Sequence, residues 1–472
     1  MILGGGPCGL AAAWELSRRG HRAVVLEREP LVGGLCATHA KTIDQGTWRF
    51  DLGGHRFVSS DEHLSARLES LLGPELLTQE RKSVVLHDGR AFKYPLDASD
   101  LVKNLGLREN ARALLGYGVE RARARARPSP DVTFEDWVVS RFGRPLYDTF
   151  FGPYTEKLWG IHPTQISSDW AAERISLLDL GDAALRLAGL RDTPIRTYAR
   201  RYRYPRRGMG QIYEALAEEI GRAGGEVRTG VHVAGLETRA HRVTAVLVDG
   251  PRGPERLPVH ELLSTIPLPD LARSLWSSMP ESLAARARAL RFRSLVFLNV
   301  LLARRDVSEN TWMYVASGRL RMSRIQEPKR RSPAMAPEGR TSMMLEIPCE
   351  VGDDVWNADV PALQARFGSE LAELGLSLDD AIDAFTCRVE HGYPIYHLGY
   401  DADRRALLDA VGKFSNVRTA GRQGLFRYVF MDAAMQMGVE AARQMISGER
   451  AASRLDAIGR ARGVLETRAL TA

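Results

Sequence analysis

The sequence predicts an α/β fold: a discontinuous Rossmann-like domain that binds a dinucleotide, carrying an inserted α+β substrate domain. Two observations lead there. The first is a β-turn-α-β opening. A strand stub at Ile2-Leu3 runs into a glycine-rich turn, Gly4 to Gly9, then a helix over Leu10 to Arg19 with its apolar residues on one face, then the buried strand His21 to Glu27. The second is the return of short strand patterns far along the chain, at Gly225 to Val233, Arg242 to Val248 and Leu262 to Thr265.

Each element follows from its own pattern. A central parallel strand usually has about five residues, and only Met1 to Leu3 precede the turn, so a few more residues are expected upstream. Residues 100 to 195 read as mainly helical. Within them Glu120 to Pro128 (ERARARARP) alternates Arg and Ala. No aromatic residues interleave to stack on bases, so the segment reads as a solvated helix face rather than a nucleic-acid stripe. Residues 293 to 303 (RSLVFLNVLLA) and 342 to 349 (SMMLEIPC) read as strands of a second sheet, and Met431 to about Gly459 as a long helix. No fixed period repeats, which disfavours a solenoid.

Composition narrows the class. A chain of 472 residues suggests about two or three domains. With 44% hydrophobic and 26% charged residues it can bury a substantial core, which excludes a disordered or fibrous chain. The net charge of +7 comes from scattered arginines, so no nucleic-acid partner is expected. Its 4 cysteines form no C-x-x-C pair and have no histidine cluster beside them. No disulfide framework and no metal site are therefore expected, and a reducing cytoplasm is the expected location. The apolar N-terminus lacks the basic region of a signal peptide, and no uncharged apolar run reaches the roughly 18 residues a bilayer span needs. Peripheral membrane contact and a homodimer stay open.

The turn Gly4-Gly5-Gly6-Pro7-Cys8-Gly9 fits G-x-G-x-x-G. Gly4 makes the turn, Gly6 lets a pyrophosphate approach the backbone, and Gly9 packs helix on strand. Pro7 and Cys8 open a helix whose N-terminus supplies a field for phosphates. Glu27 closes the next strand, where an acid can accept ribose hydroxyls. Beyond it and Arg28, the pair Gly33-Gly34, followed by Leu35, offers a second close backbone approach for a cofactor that continues past its ribose. Asp51-Leu52-Gly53-Gly54-His55-Arg56-Phe57 sets two glycines before an imidazole, a loop able to approach a flat ring. His55 is the candidate catalytic residue.

These motifs resemble the flavin-binding signature of amine-oxidase and protoporphyrinogen-oxidase-like flavoproteins, in the branch similar to UDP-galactopyranose mutase. Further segments carry the resemblance over nearly the whole chain: FDLGGHRF (Phe50 to Phe57), FFGPYTEKLWG (Phe150 to Gly160), YPRRGMGQIYEAL (Tyr204 to Leu216), SRIQEPK (Ser323 to Lys329), GDDVW (Gly352 to Trp356) and GRQGLFRYVFMD (Gly421 to Asp432). The resemblance implies FAD as the cofactor. It implies an FAD-binding domain built from residues 1–75, 201–267 and 386–472, with a mainly helical insertion over 76–200 and a substrate-domain sheet over 268–385. Val233 would contact the adenine side. Gly421, Arg422, Tyr428 and Met431 would meet the flavin, the helix from Met431 aiming its N-terminus at the ring.

For the substrate, the resemblance implies that Tyr154, Thr155, Lys157, Trp159 and Gly160 line a uridine-side cleft and that Arg324 grips a diphosphate. Trp159, Tyr393, Tyr396 and Tyr428 would form aromatic walls, and His55, His162 and His397 are the candidate bases. The chain departs from the mutase pattern at Leu425, Phe426, Val429 and Phe430, where acids and phenols would stand. It also has Leu178 and Asp179 near where a second arginine would follow Glu173-Arg174. Those changes predict a drier cleft and a less charged ligand, or one gripped from elsewhere. The implied activity is an FAD-dependent oxidoreductase taking a hydride from an amine- or hydroxyl-bearing carbon of a small molecule, amino sugars and sugar nucleotides included. The alternative is a flavin-dependent sugar-nucleotide mutase with no net redox change.

Overall fold

Ile2–Leu3 is the middle strand of a five-stranded sheet in a computed structural model that describes residues 1–94, 100, 103–126, 130–174, 201–276 and 278–460. Val24–Leu26 pairs with it in parallel on one side and Leu262–Ser264 on the other. Glu226–Arg228 and Val417–Thr419 close the two edges, also in parallel. Strands this short have little ladder of their own, and burial on both faces holds them. Successive side chains alternate as a strand requires. Ile2 packs into the core with the helices Pro7–Arg18, Gly210–Arg222 and Met431–Ser447, whereas Leu3 packs with Leu268–Leu275 and Tyr400–Gly412.

The opening helix starts at Pro7, earlier than its periodicity indicates, because proline at the first helical position is preorganised for the turn. The single strand expected over Gly225 to Val233 is two strands. Gly230 has φ +66° and turns the chain out of the parallel sheet. His232–Arg239 then begins an antiparallel sheet with Arg242–Gly250 and Gly253–Pro258.

A seven-stranded sheet forms the second body of the molecule. Phe292–Leu302 and Thr341–Cys349 pair antiparallel near its middle, and Ala381–Pro394 flanks them at the edge. Arg324–Gln326 and Trp312–Val315 follow on the other side, and then Ser83–His87 and Arg90–Lys93. The last two come from the stretch read as mainly helical, so both insertions build one sheet. Ala381–Pro394 runs through the boundary drawn at 385.

The first insertion also holds the strand Leu76–Glu80, paired antiparallel with Arg201–Pro205; its described helices include Leu107–Ala126, Phe134–Phe142, Gly152–Trp159 and Ser168–Arg174. Pro128, Leu178 and Asp179 lie outside the described residues. The tail is two helices, Met431–Ser447 and Ala452–Arg460, because Gly448 leaves the first in a left-handed conformation, φ +75°. Among the described residues no helix is long and apolar enough to cross a membrane.

Candidate functional site

A cavity of about 890 Å³ runs from Glu27 and His232 at one end, past the glycine turn, to Tyr154 and Trp312 at the other. Backbone geometry shapes its first part. Gly4 has φ +99°, and a Cβ there would sit 2.3 Å from Thr265 Oγ1. A Cβ on Gly9 would strike the Gly4 carbonyl at 2.0 Å, which is how closely helix and turn pack. At Gly6 the opposite holds: the nearest atoms to a Cβ are Gly33 O and Gly34 Cα, both at 4.0 Å, so the space is left open toward the cavity. Gly6 caps the helix with no side-chain hydrogen bond, and the first-turn N–H groups have no partner within the helix.

The second glycine loop is tied to the first by Gly33 N donating to Gly5 O at 2.8 Å. Glu27 braces both the turn and its own strand end, accepting from Gly5 N at 2.6 Å and from Glu29 N at 2.9 Å. Burial raises its pKa above the usual range. Arg28 and Val233 line the cavity as well, as does Leu35, which packs beside Trp48 and Phe50.

Across from the turn, Gly421 adopts φ +83°, and a Cβ there would stand 2.9 Å from Cys8 Cβ. The Gly421–Gly424 turn therefore nests on the opening helix. Arg422 donates from Nη2 to Val429 O at 2.8 Å and lies 4.2 Å from the Tyr428 ring centre, propping Tyr428 to Phe430 along the cavity. Met431 is the first residue of its helix and faces the cavity. Asp432 beside it has its carboxyl pushed up to about 6 by burial.

Gly53, Gly54 and His55 line the middle of the cavity. Asp51 anchors their loop from below, accepting from Tyr204 Oη at 2.6 Å and Met209 N at 3.0 Å. Burial, together with Arg422, Arg331 and Arg324, pushes the His55 imidazole down to about 3. The ring is neutral at physiological pH and a weak base.

Side chains shape the far lobe. Arg324 Nη1 lies 3.3 Å from Glu346 Oε2, and Tyr393 Oη donates to Glu346 Oε1 at 3.0 Å. Glu346 is fully buried. The Arg56, Arg81 and Arg331 guanidinium groups stand 5.6, 5.1 and 5.8 Å from the Trp312 ring centre. Arg324 Nε, Arg331 Nε and Nη1, Gln326 Nε2 and Trp312 Nε1 are buried without a hydrogen-bond partner. Buried donors left unmade are costly, and an anionic group placed among these arginines would satisfy several at once. Trp159, Trp170, Tyr393 and Tyr428 form a continuous aromatic wall, with ring centres 4.5 to 5.8 Å apart along it.

The structure brings Tyr154, Trp159, Arg324, Tyr393 and Tyr428 into this lobe but not Tyr396. The strand Ala381–Pro394 has ended by then, and the Tyr396 ring turns away to stack on Tyr400 at 4.2 Å. Its hydroxyl accepts from Tyr428 N at 2.8 Å. Lys157 also points elsewhere, donating to Val315 O at 2.6 Å and Ser317 O at 2.8 Å. Burial brings its amine down to about 7. His162 caps a short helical turn, and His397 lies 3.6 Å from Asp403; neither lines the cavity. Of the substituted tail positions, Leu425 and Phe426 are core residues, and Val429 and Phe430 line the cavity. Sequence reading missed Glu346, Arg331, Gln326, Trp170 and Asp432. Glu346 carried a signal: it is the one acid in the otherwise uncharged strand Thr341–Cys349, where a carboxylate is buried only with a partner.

A parallel sheet with an open glycine cradle, joined by one cavity to an aromatic and cationic lobe, defines a dinucleotide-binding enzyme fold. Residues 7–446 match the flavin containing amine oxidoreductases, and the chain belongs to that family. FAD is its cofactor, and the residues fit it: a cradle that a Cβ at Gly6 would fill, unpartnered first-turn amides, and a second helix N-terminus at Met431. Phytoene dehydrogenase of Streptomyces griseus is 26% identical over 423 residues, 79% of this chain and 78% of that protein. The crystal structure of reduced UDP-galactopyranose mutase matches with a TM-score of 0.82 at 22% identity, covering 98% of this chain and 96% of that one. Cyclohexylamine oxidase from Brevibacterium oxydans IH-35A matches with a TM-score of 0.63 at 17% identity, covering 95% and 98%. At these identities the two structures share the fold.

Proposed function

We propose that the chain is an FAD-dependent oxidoreductase that takes a hydride from an amine- or hydroxyl-bearing carbon of a small molecule, an amino sugar or sugar nucleotide, the cationic lobe favouring one that carries an anionic group such as a phosphate. The observation that carries this reading is the cationic lobe around Arg324, which holds buried N–H donors with no hydrogen-bond partner at Arg324 Nε and at Arg331 Nε and Nη1 and is continuous with the glycine cradle. FAD, when bound, supplies the hydride acceptor.

The chain's residues divide the remaining work. The Gly6 and Cys8 end of the helix holds the pyrophosphate, Glu27 the ribose, and Arg28 and Val233 the adenine side. Gly53, Gly54, His55, Tyr428 and Met431 flank the ring. Arg324 grips the substrate's anionic group with its planar fork. Glu346 fixes the orientation of that fork, and Trp159 and Tyr393 keep water from the reacting carbon. His55, being neutral, serves as a hydrogen-bond partner rather than a base. We assign the reaction to the cytoplasm, a reading supported by four buried free thiols.

Anaerobic mixing of the FAD-loaded protein with amino sugars and sugar nucleotides tests this. Loss of the oxidised-flavin absorbance with an anionic candidate, slowed at least tenfold by Arg324→Lys, is expected from the bidentate geometry (roughly 1.4 kcal/mol). Bleaching by uncharged amines alone, indifferent to that substitution, would overturn it.

A second reading, a non-redox sugar-nucleotide mutase, draws support from the whole-chain likeness to UDP-galactopyranose mutase and from Tyr154, Trp159 and Arg324 sharing one lobe. A mutase reduced once turns over without an acceptor. The oxidoreductase stops after a single reduction.

A further inference from the structure

The helix Leu107–Ala126 carries three large apolar residues, Leu114, Leu115 and Val119, on the side away from the protein. Its inner side is marked by Gly116 and Tyr117. A Cβ on Gly116 would lie 2.4 Å from Pro145 Cδ, and one on Gly143 would lie 2.7 Å from Tyr117 N. At about 100° per residue, Ala111, Leu114, Leu115, Gly118, Val119 and Ala122 cluster on the opposite side. Leu114, Leu115 and Val119 are 59%, 70% and 49% exposed, among the few large apolar side chains so exposed in the described residues. Scattered exposed apolar residues need no account, but a contiguous strip along one helix does.

Charge surrounds that strip. By the same rotation Arg112 and Arg123 border it on one side and Arg121 on the other, while Arg108 and Arg125 stand at its two ends; all are exposed. Glu109 and Glu120 are the acids on the helix, and Glu120 is already paired with Arg123 at 2.9 Å. An outward apolar strip bordered by arginines is the pattern of a helix lying in a lipid interface: apolar side chains enter the acyl boundary and guanidinium groups meet anionic headgroups.

We propose that the Leu107–Ala126 helix docks the protein on an anionic lipid membrane, as a peripheral contact. A second copy of the chain fits the strip poorly. A two-fold contact through this face would set each arginine row against its own symmetry mate.

The test uses the full-length, FAD-loaded protein and vesicles of phosphatidylcholine alone or mixed with phosphatidylglycerol. Flotation with the mixed vesicles at low salt is expected, with at least about tenfold less protein floating on phosphatidylcholine or in about 0.5 M salt. Replacing Leu114, Leu115 and Val119 together by serine should lower the bound fraction about tenfold, as should Arg121→Gln, Arg123→Gln and Arg125→Gln together. Melting temperature and FAD content should not change, since these side chains are exposed. Three results would overturn the proposal. One is no flotation on anionic vesicles. Another is equal flotation of wild type and both variants. The third is a dimer in sedimentation that the serine variant dissolves, which would assign the strip to a second copy instead.

Discussion

The two ends of the long cavity are built by different means. The cofactor end is backbone: glycines at Gly4, Gly6, Gly33 and Gly421, helix N-termini, and a single carboxylate that braces the turn. The lobe beyond it is side chain: arginines, one buried glutamate and a tyrosine-tryptophan wall drawn from separate strands and helices. A backbone site tolerates almost any neighbour provided the glycines stay. A side-chain site instead depends on partners that meet only in the folded molecule.

That contrast can be broken by substitution, and the largest expected effect is at the cradle. Gly6→Val should abolish FAD retention while leaving the melting temperature within a few degrees of the FAD-free wild type, because the added side chain meets empty cavity rather than protein. Absorbance of the purified variant checks this, and a yellow protein with full cofactor content would remove the cradle assignment. Next in size is Glu346→Leu, which leaves Arg324 a buried cation without its carboxylate; a loss of about 3 kcal/mol is expected in denaturant titration. A loss below about 1 kcal/mol would mean that the lobe behaves like solvent.

The pH dependence sharpens the comparison further. His55 has a folded pKa of about 3, below its unfolded value of 6.5. Between those two values the unfolded chain holds a proton that the folded chain does not, so stability rises with pH there and falls as acid is added. The slope owed to this one ring is at most about 1.4 kcal/mol per pH unit. Stability of the FAD-loaded His55→Asn variant should therefore be less pH-dependent than wild type from pH 6.5 downward; parallel curves would place the ring in water. The smallest effect is expected at Tyr396→Phe. It loses one hydrogen bond to Tyr428 N, about 1 kcal/mol, with turnover unchanged because the ring stands outside the cavity.

Legibility in sequence follows the same division. The turn from Gly4 to Gly9, the pair Gly33-Gly34 and Glu27 act through spacing along a few residues, so their pattern could be read before any fold was known. So could the strands Phe292–Leu302 and Thr341–Cys349, where apolar runs meet long burial. Arg331 and Gln326 could not be read this way, since nothing local marks one arginine or amide among many as buried behind the Gly54 loop. Tyr396 misled because the strand ends at Pro394, and beyond it the ring stacks on Tyr400 outside the cavity, which no local pattern announces. Leu425 and Phe426 misled for a related reason: they sit inside a motif that lines the cavity, yet their side chains belong to the core on either side of the sheet.

The parallel sheet takes strands from Ile2–Leu3 through Val417–Thr419, and the turn at Gly421 rests directly on Cys8. A nascent chain still on the ribosome therefore lacks one edge of this cavity until the residues around Gly421 have emerged. Coenzyme capture has to wait for them, and a polypeptide terminated before them would be released with an unfinished pocket.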